Sequence, residues 1–298
     1  GTIRSIPSNL RLHVGIANGQ GGMRGFLRAT WAIVQEARSD NLTGEAAKAA
    51  YYFFLSLWPL LLGLFAFTGI FGGEPAFDWI MARVTSALPS EPTRFLERFL
   101  REITAEERPD VLSLGVILTL WSGSSIFVSL AEGLNRIYDI EEGRTWWKRR
   151  LIAIVMLLVA AVLLSVGATG VLAGEQVLRR LGLGAAWNFA RWPLAYLAIA
   201  ALAWLIYYYL PNREQRMSIR YVTIGALVGT GLWLVVTTAF RMYVGSWGGY
   251  GRTYGLVGGI IVLLIWLYLT ALAILFGGEV AVWLEQGIHT KGQEAPGG

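Results

Sequence analysis

The chain has 298 residues, of which 55% are hydrophobic and only 15% charged, with a mean hydropathy of +0.51. A soluble domain carries about 25% charged residues, so a disordered chain is excluded and a polytopic membrane protein is the reading that composition favours. There is no Cys, which excludes disulfides, thiolate catalysis and Cys-ligated metals, and the formal net charge of +5 fits orientation in a bilayer better than binding of nucleic acid.

In chain order, residues 1–22 are Gly-rich and polar and are expected to be mobile. From Met23 to Arg38, the residues Phe26, Leu27, Trp31, Ile33 and Val34 recur at helical spacing, with Arg24, Arg28, Gln35 and Arg38 elsewhere around the wheel. This predicts an amphipathic interfacial helix within residues 23–45. A six-span membrane domain is then expected over residues 46–284, and a mobile tail over 285–298. The spans run from Ala46 to Phe71, Val111 to Tyr138, Leu151 to Ala173, Leu194 to Leu210, Ile219 to Tyr243 and Leu256 to Leu284. Each run is apolar and continuous over the roughly 20 residues that a 30 Å hydrocarbon core needs, which favours helices over strands. The fold class is therefore all-α. In the first loop, Ile80, Val84 and Leu88 precede Pro89 and Pro92, and Phe95, Leu96, Phe99 and Leu100 follow, so residues 75–108 read as a helical extracytoplasmic cap.

An even number of spans puts both termini on one side, and 15 of the 25 Lys and Arg fall on that side. The cluster Arg144, Lys148, Arg149 and Arg150 directly before the third span is the strongest indicator, so both termini are expected in the cytoplasm.

Ionisable and polar residues inside spans are costly and point to function. On the first span Lys48, Tyr52, Ser56 and Pro59 share a face by helical steps, and Pro59 frees a backbone carbonyl. The second span repeats the pattern with Ser122, Ser125, Ser129, Glu132, Asn135 and Arg136, and on the sixth Tyr268 and Glu279 share a face. With the helix directions above, Lys48, Glu132 and Glu279 come to similar depth. The expectation is one polar cavity between spans one, two and six. The plainer reading has the Ser residues as packing devices, Lys48 snorkelling, and Glu132 pairing with Arg136 one turn away.

Between spans five and six, Gly245 to Gly259 reads GSWGGYGRTYGLVGG. Such a stretch is expected to break as a surface turn or to line an extracytoplasmic mouth with Arg241, Tyr250, Arg252 and Tyr254. Enzyme signatures are missing: there is no HExxH, no GxSxG, no nucleotide fingerprint and no His set at metal-ligand spacing. The expectation is a protein that is not an enzyme and needs no metal or other cofactor.

Four segments carry a resemblance: AAYYFFLSLWPLL from Ala49, LAEGLNRIYDI from Leu130, YYYLPN from Tyr207, and GGYGRTYGLVGGIIVLLIWLYLTALAILFGGEV from Gly248. Together they resemble the YihY/BrkB family of bacterial inner-membrane proteins, formerly called ribonuclease BN. The family's final helix usually ends in Gly-Ala-Glu, and Gly277, Gly278 and Glu279 stand there. The resemblance implies six spans, a bacterial inner (plasma) membrane location and a link to envelope integrity and virulence. It settles no molecular activity, and the residues give the ribonuclease label no support. The leading functional expectation is a transporter or flippase-like carrier of an amphiphilic or lipid-related solute. The runner-up is a non-transporting envelope-integrity protein acting through partner or lipid binding. Membrane lipids are the expected partners, nucleic acid is not, and a homo-oligomer is left open.

Overall fold

The computed structural model describes residues 33, 35, 40–71, 109–180, 184–213, 216–246 and 250–293. Among these the chain forms six helices and no strand: α1 Leu42–Phe71, α2 Pro109–Ile137, α3 Trp146–Arg180, α4 Gly184–Tyr209, α5 Ile219–Ser246 and α6 Tyr250–Gln293. Each apolar run read from the sequence falls on one of them. Four contain a segment long and apolar enough to cross a membrane: Val116–Ile137, Phe189–Tyr209, Ile219–Val244 and Gly258–Gln286. The helices α1 and α3 have 30 and 35 residues but begin with charged turns, Glu45 and Lys48 in one and Lys148, Arg149 and Arg150 in the other. The first-loop cap lies outside the described residues, as does nearly all of the N-terminal amphipathic helix.

Local chemistry sets the helix ends. Asp139 takes the left-handed conformation (φ 53°) after α2, where the Ile140 N–H donates to the Asn135 carbonyl (2.8 Å) and the Asp139 N–H to that of Arg136 (3.1 Å). This six-to-one, five-to-two pair is a Schellman end, with Asp in the place Gly usually takes. Thr145 and Ser218 sit at the N-caps of α3 and α5, their carbonyls accepting from the N–H groups of Arg149 and Val222. In the Gly-rich stretch α5 runs to Ser246 and α6 is already helical at Tyr250, and any break falls on residues 247–249, outside the described residues. Each interior Gly costs about 1 kcal/mol against Ala, but inside a membrane the larger penalty for open backbone groups holds the helix together.

The helices pack in chain order as a closed ring, α1 against α2 and so on to α6, which returns to α1 and also touches α2. Between α5 and α6 the approach is backbone to backbone. A Cβ on Gly225 would lie 2.5 Å from the Gly277 carbonyl, and one on Gly229 3.1 Å from the Gly277 Cα. Gly225 and Gly229 form a GxxxG pair, the pattern that lets membrane helices meet backbone to backbone. Leu130, Leu134, Tyr207, Leu210, Val222 and Leu275 are fully buried at the centre, whereas Leu151, Val155, Leu158 and Val162 form an exposed stripe along α3.

Candidate functional site

At the end of the bundle where α1 and α3 begin and α2 finishes, five side chains alternate in charge. Arg136 pairs with Glu45 (3.0 Å), Glu45 with Lys48, Lys48 with Glu132 (3.0 Å) and Glu132 with Arg149 (2.8 Å). Helical phase explains the meeting: Lys48 lies one turn after Glu45 on α1, and Glu132 and Arg136 lie one turn apart on α2. Arg149 comes from the first turn of α3, which the short Schellman connection folds back beside the end of α2.

Next to this relay is a groove of about 310 Å³. It is lined by Tyr52 of α1, by Trp121, Ser125, Val128 and Glu132 of α2, and by Trp146, Arg149 and Arg150 of α3. Arg150 Nη1 donates to Ser125 Oγ (3.0 Å), and its guanidinium carbon lies 4.0 Å from the centre of the Trp121 ring. The Trp121 and Trp146 rings are themselves 5.6 Å apart. Cations and indole rings concentrated at a helix end are the furniture of a membrane–water boundary.

This groove lies between α1, α2 and α3, and the described residues of α6 are not part of its wall. Tyr268 lies against the hydrophobic core, and Glu279 is buried to 1% exposure, beside Gly278, where a Cβ would meet the Leu134 side chain of α2. The salt bridges to Lys48 come from Glu132 and from Glu45, which the sequence reading did not single out.

The remaining candidates divide. Tyr52 and Ser125 line the groove, while Ser122 donates to the Leu118 carbonyl and Ser56 to that of Phe53, both within their own helices. Ser129 is buried, its hydroxyl without a hydrogen-bond partner among the described residues. The carbonyl of Pro59 accepts from Thr119 Oγ1 (2.5 Å), which ties the Pro turn of α1 to α2. Arg241 is exposed near the end of α5, and Tyr250, Arg252 and Tyr254 belong to the first turns of α6, their side chains outside the described residues.

Asn135, assigned to the cavity, instead locks two loops. Its Nδ2 donates to Glu142 (2.9 Å) and its Oδ1 accepts the Asn212 N–H (2.8 Å). Glu142 also takes a two-pronged bond from Arg144 (2.7 Å to each oxygen), and Arg144 reaches on to the Leu210 carbonyl (2.9 Å). Burial alone would raise the Glu142 carboxyl, but the hydrogen bonds from Arg144 and Asn135 outweigh it and hold the group below the usual carboxylate range. The same bonds join the LAEGLNRIYDI and YYYLPN segments, an association that no one-dimensional spacing displays.

A family model described as virulence factor BrkB matches residues 33–297. The chain is 32% identical to the ribonuclease-like protein YfkH of Bacillus subtilis, over 81% of this chain and 90% of that one. It is 25% identical to a UPF0761 membrane protein of Alteromonas mediterranea, over 88% of this chain and 89% of the relative. A UPF0761 membrane protein of Tolumonas auensis is 24% identical, over 87% and 83%. No solved structure matches. The family model takes in every described helix, including both segments that the Asn135 lock joins, and the chain belongs to the BrkB family of membrane proteins.

Proposed function

We propose that the protein is a carrier in the bacterial inner membrane that moves an amphiphilic, lipid-related solute along the groove between α1, α2 and α3. In this reading all six helices cross the bilayer, both termini are cytoplasmic, and the groove opens at the cytoplasmic leaflet. The observation that carries it is that part of the charge relay lines an open groove: Glu132 and Arg149 sit at the wall of a cavity rather than in the sealed interior, and Lys48 reaches them through its salt bridge to Glu132. Charges at membrane depth are expensive, and an inert clamp would be expected to exclude water. Glu132 between two cations can hand one of them to an incoming anion while keeping the other. The test is the flux of a fluorescent phospholipid analogue in proteoliposomes. Wild-type protein should accelerate its transfer between leaflets, and Glu132→Gln should return it to the protein-free rate at unchanged folded content. No acceleration by wild-type protein would overturn the proposal.

A non-transporting envelope-integrity role is the second reading, favoured by the tight Gly225–Gly229–Gly277 contact, which is a static packing device. The ribonuclease in the name of YfkH belongs to that protein. RNA cleavage by this chain, lost on substitution of Glu132, would redirect the reading to an enzyme.

A further inference from the structure

The charges around the groove do not balance. Lys48, Arg136, Arg149 and Arg150 face Glu45 and Glu132, and the two carboxylates are both taken by the first three cations. Arg150 has no carboxylate among the described residues. Its Nη1 rests on a neutral hydroxyl, Ser125, its Nε is buried without a hydrogen-bond partner, and its flat face covers Trp121. A guanidinium held by a hydroxyl and an indole ring, with donors to spare and a cavity in front of it, is a site for an anion with several oxygens.

The surface beyond it says which kind. Moving away from the charged end along the same face of α2, Ser125 is followed by Trp121 and Leu118, exposed by 46% and 45%. The cation that α3 lays on Ser125 is thus followed along α2 by an indole ring and bare aliphatic surface, the order of a phosphate headgroup, its ester region and an acyl chain. A free phosphate would use the first of these and leave the others uncovered. The groove volume of about 310 Å³ suits a headgroup and not a whole lipid.

We infer that Arg150, supported by Ser125 and Trp121, binds the phosphate of an anionic phospholipid whose chain lies over Trp121 and Leu118. This names the ligand of the groove on which the carrier reading rests, but it needs only binding, not movement. Arg149 stays with Glu132 in the resting state, so Arg150 is the first contact.

The experiment is a titration of the full chain in detergent micelles with phosphatidylglycerol, phosphatidylcholine of the same chains, or inorganic phosphate, read by thermal unfolding. Phosphatidylglycerol should raise the unfolding midpoint, phosphatidylcholine and inorganic phosphate should not. Arg150→Gln should weaken the phosphatidylglycerol response at least about tenfold in lipid concentration, the worth of one charge-assisted contact. Arg150→Lys keeps the charge without the fork, should give an intermediate response, and carries the test alone if Arg150→Gln does not fold. Equal stabilisation by phosphatidylcholine, an undiminished response in Arg150→Gln or, if that variant does not fold, in Arg150→Lys, or a matching shift with inorganic phosphate would each overturn the inference. Headgroup-selective binding without lipid flux would sink the carrier reading and leave this one standing, and flux without selectivity would do the reverse.

Discussion

Tyr207 on α4 donates its hydroxyl to the Ile274 carbonyl on α6 at 2.5 Å, in the space left open by Gly229 and Gly277. The phenol is buried to 2% exposure, so the bond is made in the interior, where a bare hydroxyl would be costly. Three helices meet at this point, and the two Gly residues make the meeting geometrically feasible.

Gly277→Ala should therefore destabilise the protein by about 1–3 kcal/mol, since its Cβ would run into the Tyr207 hydroxyl and lie 2.7 Å from the Gly229 Cα. Tyr207→Phe should cost about 1 kcal/mol, the worth of one hydrogen bond. Thermal unfolding of the purified variants checks both. An unchanged midpoint for Gly277→Ala would mean that α5 and α6 are not in backbone contact.

The Asn135–Glu142–Arg144 lock should depend on pH. The Glu142 carboxyl is held below its ordinary value in the folded chain, so its stabilising contribution is fully present above the ordinary carboxylate range. It is lost as pH falls through the lowered value. Acidification from neutral pH should therefore narrow the gap in unfolding midpoint between wild type and Glu142→Gln. A gap that stays constant would show that the carboxylate charge plays no part in the lock.

Asp139 holds a left-handed φ of 53° at the end of α2. Asp139→Gly should leave stability level or raise it slightly, and Asp139→Ala should lower it by about 1 kcal/mol, the usual cost of a Cβ there. The comparison of the two by thermal unfolding isolates the backbone term, because both remove the carboxylate. Equal effects would assign the cost to the lost side chain instead.

Topology is open to a direct measurement because the chain has no native Cys. Glu97→Cys should react with a membrane-impermeant maleimide from the outside of intact cells. A Cys in place of Glu141, beside the Arg144 cluster, should react only after the membrane is opened. The opposite pattern would invert the orientation of the whole bundle.

The helices themselves were legible, because runs of apolar residues are a one-dimensional property and each maps onto one of them. The Lys48–Glu132 pair was legible too, from helical phase and the opposite directions of α1 and α2. Which third helix completes the site was not. Phase fixes the face that a residue occupies, but not which neighbour stands opposite it, so the share of α3 in the groove could not be read from spacing. Arg149 and Arg150 served in the sequence as markers of orientation, and that role concealed their geometry. Glu45 was passed over because it lies at a helix start, where an acid has the ordinary explanation of favouring the positive end of the dipole. The signal for the α5–α6 contact was present as Gly225 and Gly229, a GxxxG spacing that goes unnoticed inside a chain rich in Gly.

The ring order of the helices bears on how the protein is made. Since α1 through α5 each touch the next helix in the chain, these contacts become available as soon as the later partner has left the ribosome. The bridge from Lys48 to Glu132 is complete with the second helix, and that from Glu132 to Arg149 with the start of the third. The meeting of α6 with α1 and α2 must wait for the last segment. Biogenesis then has one long-range step, and until it occurs the nascent bundle is an open arc with the Lys48–Glu132–Arg149 bridges already made and one flank still exposed to the insertion machinery.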